Sequence, residues 1–234
     1  MRSGNTVTRK VGTPMILDAI DRKIEEHHLL KSPFYQAWTA GTLPKESLRQ
    51  YAAQYFQHVA AFPGYLQALA QRADSSLLPL VEDNLAEELD AAGPHPQLWR
   101  DFASAVGADG TALDSAEPVP AVKALIDTYR DLCANASPAE AVAALYAYEA
   151  QVPEIATQKI AGLKLHYGVT ELPALRYFAV HEEADVRHRA AWREWLASCD
   201  PADVSKATAA AERALVALRN ALDAMYSAPC VSNN

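Results

Sequence analysis

Apolar residues recur every three or four positions along almost the whole chain, and strand-like alternation is scarce. Thr13-Pro14, a capping residue followed by proline, predicts the first helix, with Ile16, Ile20 and Ile24 as its stripe. Ser32-Pro33 repeats that signal for a short helix running to Ala40 and stopping at Gly41. A long helix begins near Pro44. Its stripe is Leu48, Tyr51, Tyr55, Phe56, Val59 and Phe62, with a kink expected at Pro63-Gly64. The next helix spans about Ser76 to Leu89 with Leu78, Val81 and Leu85 inward, and Gly93-Pro94 breaks it. A shorter helix then turns Leu98, Phe102 and Val106 inward. Residues 107–120 carry Gly107, Gly110, Pro118 and Pro120 and form the longest expected loop.

A helix from Pro120 to Cys133 presents Val122, Leu125, Ile126 and Tyr129. Ser137-Pro138-Ala139-Glu140 is a capping box, and the helix it opens is expected to run to about Tyr167 and stop at Gly168. Further helices cover Leu172 to about Ser198 and Asp203 to Met225. Eight or nine helices, no convincing strand, no repeat and no long polar linker predict one all-α domain over residues 1–234, with 1–12 and 227–234 as flexible tails.

Composition narrows the function classes. Half of the 234 residues are hydrophobic, which excludes a disordered chain of low hydrophobicity. Lys and Arg number 21 against 29 Asp and Glu, a formal charge of −8, which argues against a nucleic-acid partner. No uncharged apolar run reaches the roughly 18–20 residues of a membrane span. The opening MRSGNTVTRK has no apolar core after its charges, so no signal peptide is read. Cys133, Cys199 and Cys230 are far apart and odd in number, as expected of a reduced cytoplasmic chain without a disulfide frame or CxxC zinc site.

The candidate chemistry lies in polar residues on apolar stripes. Tyr177, His181, Asp185, His188 and Trp192 recur at steps of four, four, three and four, and at ~100° per residue they share one helix face. Leu175, Phe178 and Leu196 flank that face, so it points inward. Glu88 continues the stripe of Leu78, Val81 and Leu85, and Glu149 continues that of Val142, Leu145 and Tyr146. His95 follows Glu88 by seven, just past the Gly-Pro break. Taken singly, Glu88 or His95 reads more readily as a salt-bridged or partly exposed group. Together, three carboxylates and three imidazoles suit a pair of iron or manganese ions. Absence of thiolate disfavours structural zinc. Glu25-Glu26-His27-His28 holds a single Glu-x-x-His, a motif that di-iron bundles use twice, and reads as a solvated helix end. Glu182 and Glu183 lie off the His181 face and read as exposed. Tyr51, Tyr55 and Phe56 read as core aromatics by spacing.

SPFYQAW, LRQYAAQYFQHVAAFPGYL, NLAEEL, HPQLW, AALYAYEAQVPEIATQKIAGL and HEEADVRH extend from about residue 30 to 190. With them the chain resembles the 4-aminobenzoate synthase family of the chlamydial death-domain-associated protein. That family belongs with the haem-oxygenase-like bundles, which include the PQQ-synthesis oxidase and thiaminase-like proteins. HEEADVRH together with YEAQVP is fairly specific to this subfamily. The resemblance implies a haem-oxygenase-like bundle with Glu88, His95, Glu149, His181, Asp185 and His188 as ligands of two metal ions, iron with iron or manganese. It also implies O2 as oxidant, a separate reductant, a homodimer, and synthesis of 4-aminobenzoate for folate. By the same resemblance the aromatic ring comes from the protein's own Tyr35, Lys159 supplies nitrogen, and Tyr51 and Tyr148 lie near the metals. Spacing alone would not choose Lys159. It is ten residues beyond Glu149, about 15 Å along one continuous helix and ~80° off its face, and it takes the bend expected near Pro153 together with the long side chain to bring the amine inward. Two other readings stay open: a metal-free oxidase of the same bundle acting on a diffusible substrate, and a helical interaction protein without catalysis.

Overall fold

A computed structural model describes residues 13–108 and 110–226, so the expected tails and Cys230 lie outside the described residues. Eleven α-helices and two short 3-10 turns make up the described chain, with no strand among them. The helices are α1 (Thr13–Glu26), α2 (Pro33–Ala40), α3 (Lys45–Ala70), α4 (Leu78–Glu88), α5 (His95–Ala105), α6 (Gly110–Ser115), α7 (Pro120–Asn135), α8 (Pro138–Glu149), α9 (Val152–His166), α10 (Leu172–Ala197) and α11 (Val204–Ala224). The all-α bundle read from periodicity is therefore the architecture observed. No described helix is long and apolar enough to cross a membrane.

Local sequence sets most of the boundaries. The Ser32 hydroxyl accepts from the Tyr35 amide at 3.3 Å and starts α2. Gly41 ends α2 at φ 69°, and a Cβ there would meet the His166 ring at 2.4 Å. The capping box opens α8, with Ser137 and Glu140 bonded to each other's backbone amides. α3 continues through Pro63 to Ala70.

Three expectations are corrected. The helix read from Ser137 to Tyr167 is two helices, α8 and α9, parted at Ala150 and Gln151. Pro153 has no N–H to donate, and its ring crowds the carbonyl four residues back, which is Glu149. Gln151 fills the break: its Oε1 accepts from the Leu29 amide at 2.8 Å and its Nε2 donates to the Ala147 carbonyl at 2.8 Å. The expected loop 107–120 contains α6, pinned by Gln57 donating to the Leu113 carbonyl at 2.6 Å. On α4 the buried face is Leu77, Val81, Asn84 and Glu88, with Leu78 and Leu85 only half-buried.

α8 runs through the middle of the molecule. Its small residues, Ala139, Ala141, Ala143, Ala144 and Ala147, are all buried, and α11, α10 and α7 close on it. α10 lies against α9, α5 and α8, while α3 lies against α7, α5 and α4. That arrangement turns the inner face of α10 toward the ends of α4, α5 and α8.

Candidate metal centre

Three of the six candidate ligands sit at helix ends. Glu88 closes α4, His95 opens α5 and Glu149 closes α8. His181, Asp185 and His188 project from the middle of α10. All six are buried, and they form two trios. Glu88, His95 and His181 each bring one ligand atom within 4.8 Å of the others, and so do Glu149, Asp185 and His188. Glu88 Oε2 is 2.9 Å from His95 Nδ1, and the His95 and His181 rings are 4.5 Å apart. His188 Nδ1 lies 3.4 Å from Asp185 Oδ1 and 3.9 Å from Glu149 Oε2.

Neighbouring groups orient these side chains. His181 Nδ1–H donates to the Tyr177 carbonyl at 2.6 Å, which leaves Nε2 with its lone pair free. Glu149 accepts from Asn84 Nδ2 at 3.0 Å and from Trp192 Nε1 at 2.6 Å. Burial, reinforced by the Asp185 charge, pushes the Glu149 carboxyl up to about 8. Burial and the Glu88 charge hold Asp185 well above the usual carboxylate range. Burial and His95 keep His181 well below the usual imidazole value.

These residues fit metal ions. His95 Nδ1, Asp185 Oδ2 and His188 Nε2 are buried without any hydrogen bond, and an unsatisfied buried polar atom costs about 1–3 kcal/mol. The contact between His95 Nδ1 and Glu88 is short yet lacks hydrogen-bond geometry. A cation within each trio relieves His95 Nδ1, Asp185 Oδ2 and the crowding of carboxylates together, while His188 Nε2 points out of its trio toward Glu87.

A second chamber adjoins the first. Tyr35, Tyr55, Trp99, Phe178 and Lys159 line it, and Tyr148, Tyr177 and His181 line both chambers. Its cavity is about 20 Å³, room for about one water. The Lys159 ammonium donates to Tyr51 Oη at 2.6 Å, and the Tyr51 hydroxyl lies beside that of Tyr35. The lysine nitrogen lies 5.4 Å from the centre of the Tyr35 ring and 5.0 Å from that of Phe178. Burial lowers its pKa to about 7, so much of it is neutral amine near neutral pH. Burial holds Tyr35 and Tyr51 well above the usual phenol value. The break before α9 accounts for the position of Lys159: the interruption resets the helical phase, and the side chain is 6% exposed.

The structure thus brings the six ligands together and, beside them, Tyr35, Tyr51 and Lys159, with Tyr148 between the two groups. Glu26 and His27 lie apart, in a partly exposed cluster with Glu212. Glu182 is half-buried and accepts from Thr157 at 2.6 Å, while Glu183 is exposed.

His58, Asn84, Glu87 and Trp99 were not singled out by sequence. His58 lines the metal chamber, its Nε2 has no partner, and burial lowers its pKa to about 3. It continues the α3 stripe of Leu48, Tyr51 and Tyr55 at a step of three, which was its signal. Cys133 and Cys199 are free thiols.

A helical bundle with two buried trios of histidine and carboxylate is the architecture of a metal-dependent redox protein. Residues 49–221 match the sequence pattern of the iron-containing redox enzyme family; the chain belongs to that family and is an oxidoreductase. It is 38% identical over 227 residues to the 4-aminobenzoate synthase of Nitrosomonas europaea, covering 91% of this chain and 92% of that one. It is 42% identical over 173 residues to the 4-aminobenzoate synthase of Chlamydia muridarum, covering 74% and 73%. A solved domain from Shewanella denitrificans, described as having a heme oxygenase-like fold, superposes with a TM-score of 0.77 at 18% identity, covering 93% of each chain. The fold and family expected from HEEADVRH and YEAQVP are borne out.

Proposed function

We propose that this oxidoreductase makes 4-aminobenzoate from its own Tyr35, using O2 and an external reductant. The observation that carries the reading is the chain of contacts from Lys159 through Tyr51 to Tyr35, set one wall of side chains away from the six ligands. Relatives named 4-aminobenzoate synthase at 38–42% identity support the product. Glu88, His95 and His181 would hold one transition-metal ion, and Glu149, Asp185 and His188 the other. Such ions, iron with iron or manganese, supply the O2-dependent oxidising power that acid–base side chains lack.

The chain's own groups do the rest. Tyrosine carries its Cβ and its hydroxyl para to each other, the same relation as the carboxyl and amine of 4-aminobenzoate. Lys159, about half of it neutral near pH 7, presents an amine beside the ring. Tyr51 holds that amine and the Tyr35 hydroxyl in register. Aromatic walls keep water out, and tethering removes the entropy of capturing a substrate. A cavity of about 20 Å³ leaves no room for a separate aromatic molecule, which favours the tethered ring over a diffusible one. Intact-mass analysis of the reduced, metal-loaded protein after O2 exposure tests the reading: loss of mass localised to Tyr35 is expected, and an unchanged chain that still forms product would refute it.

A further inference from the structure

A surface groove of about 460 Å³ runs beside α4, α5 and α10. Asp83, Glu87, Asp90 and Glu183 line it against Arg176 and Arg187, so negative charge prevails. His95, a member of the first trio, also lines it. The groove therefore borders the metal centre at His95.

Asp83, Glu87 and His188 each bring one ligand atom within 4.8 Å of the others. The His188 ring divides inside from outside. Its Nδ1 faces Asp185 and Glu149 at 3.4 and 3.9 Å. Its Nε2 is 3.4 Å from Glu87 Oε2, makes no hydrogen bond, and belongs to a ring only 6% exposed. Arg187 holds the other Glu87 oxygen at 2.7 Å. Two carboxylates at a surface are ordinarily just solvated. The buried, unpartnered nitrogen aimed at them is the observation that points to a ligand. Oxygen donors with one imidazole suit a divalent transition metal.

We propose that Asp83, Glu87 and His188 Nε2 form a third divalent-cation site, a loading station through which ions in the groove reach the buried pair. The proposal rests on the metal-centre reading above. A neutral imidazole carries one proton. Bound through Nε2, His188 turns an Nδ1–H toward Asp185; bound through Nδ1, it turns an Nε2–H toward Glu87. The outer and inner ions therefore use His188 in turn rather than together, and the outer site is weak in the loaded protein. Arg187, with its side chain 62% exposed, neutralises Glu87 until a cation displaces it. The acidic groove concentrates cations at its mouth.

The test uses the full chain, stripped of metal and mixed with Mn2+, with uptake followed by loss of the free-ion paramagnetic signal. The parent protein should fill two sites. Asp83→Asn/Glu87→Gln should fill the same two roughly tenfold or more slowly, with Asp83→Asn alone keeping the parent's final affinity. Asp83→Asn alone, at an exposed position, should show part of that slowing. Glu149→Gln, which disables one inner site, should retain one weak Mn2+ site beyond the first trio, and adding Glu87→Gln should remove it. Loading of the double variant at the parent rate would overturn the proposal, as would absence of the weak site. An unchanged loading rate with weakened inner affinity would also overturn it, since Glu87 would then only orient His188. A parent protein that takes up no Mn2+ would fail the metal centre itself, and the loading station with it.

Discussion

The two chambers share Tyr148, Tyr177 and His181 as walls yet are built from opposite chemistry. The metal chamber gathers three carboxylates and three imidazoles, and its buried atoms conflict until a cation arrives. The aromatic chamber holds Lys159 among rings and is nearly filled by the protein's own side chains. One is shaped to receive something from outside. The other has space for about one water. Under the proposed function that difference is the division of labour, with oxidising power from one side and a tethered ring and amine from the other.

The comparison breaks most sharply at Tyr35. Tyr35→Phe keeps the ring packing against Phe34 and Trp38 and removes only the hydroxyl, so product should vanish while both metals stay bound. Metal analysis beside product assay checks this, and loss of the metals would show that the chambers are not separable. Next in size, Glu149→Ala or His181→Ala should each lower bound metal from two ions toward one. Retention of both ions in both variants would defeat the ligand assignment. A finer cut falls on Asn84, which touches Glu149 and neither His95 nor His181 in hydrogen bonding. Asn84→Ala should weaken one metal site by roughly 10–100-fold and leave the other unchanged, as read by metal titration. Equal weakening of both would count against two distinct trios.

The smallest expected effect concerns Lys159. Its folded pKa of about 7 lies below the usual lysine value of 10.5. Between those values the unfolded chain binds the proton and the folded chain does not, so this group makes stability rise with pH across that window. Below the window both states are protonated and the burial penalty is complete. Lys159→Met should flatten the rise by at most ~1.4 kcal/mol per pH unit in denaturant titrations of the metal-free protein. An unaltered slope would mean that the amine is charged in the fold.

The metal chamber was the more legible of the two in sequence. A histidine or carboxylate on an apolar stripe breaks an expected pattern, so Glu88, Glu149 and the α10 face could be found by periodicity. The aromatic chamber breaks no pattern. Tyr35 and Tyr51 look like core residues because they are core residues, and only the family resemblance marked them. Lys159 was hidden for another reason: treating α8 and α9 as one helix gave it the wrong phase, although Pro153 carried the signal of the break. Asn84 was missed because Leu78 and Leu85 offered an equally regular stripe one position over. Contacts that join distant segments, such as Glu87 to His188 or Lys159 to Tyr51, have no trace in local spacing.

The most direct measurement follows the ring. Protein grown with ring-labelled tyrosine, reduced, loaded with metal and exposed to O2 without added substrate, should release labelled 4-aminobenzoate at no more than one equivalent per chain. Repeated turnover, or unlabelled product made from an added small molecule, would contradict self-sacrifice and make this an oxidase of a diffusible substrate.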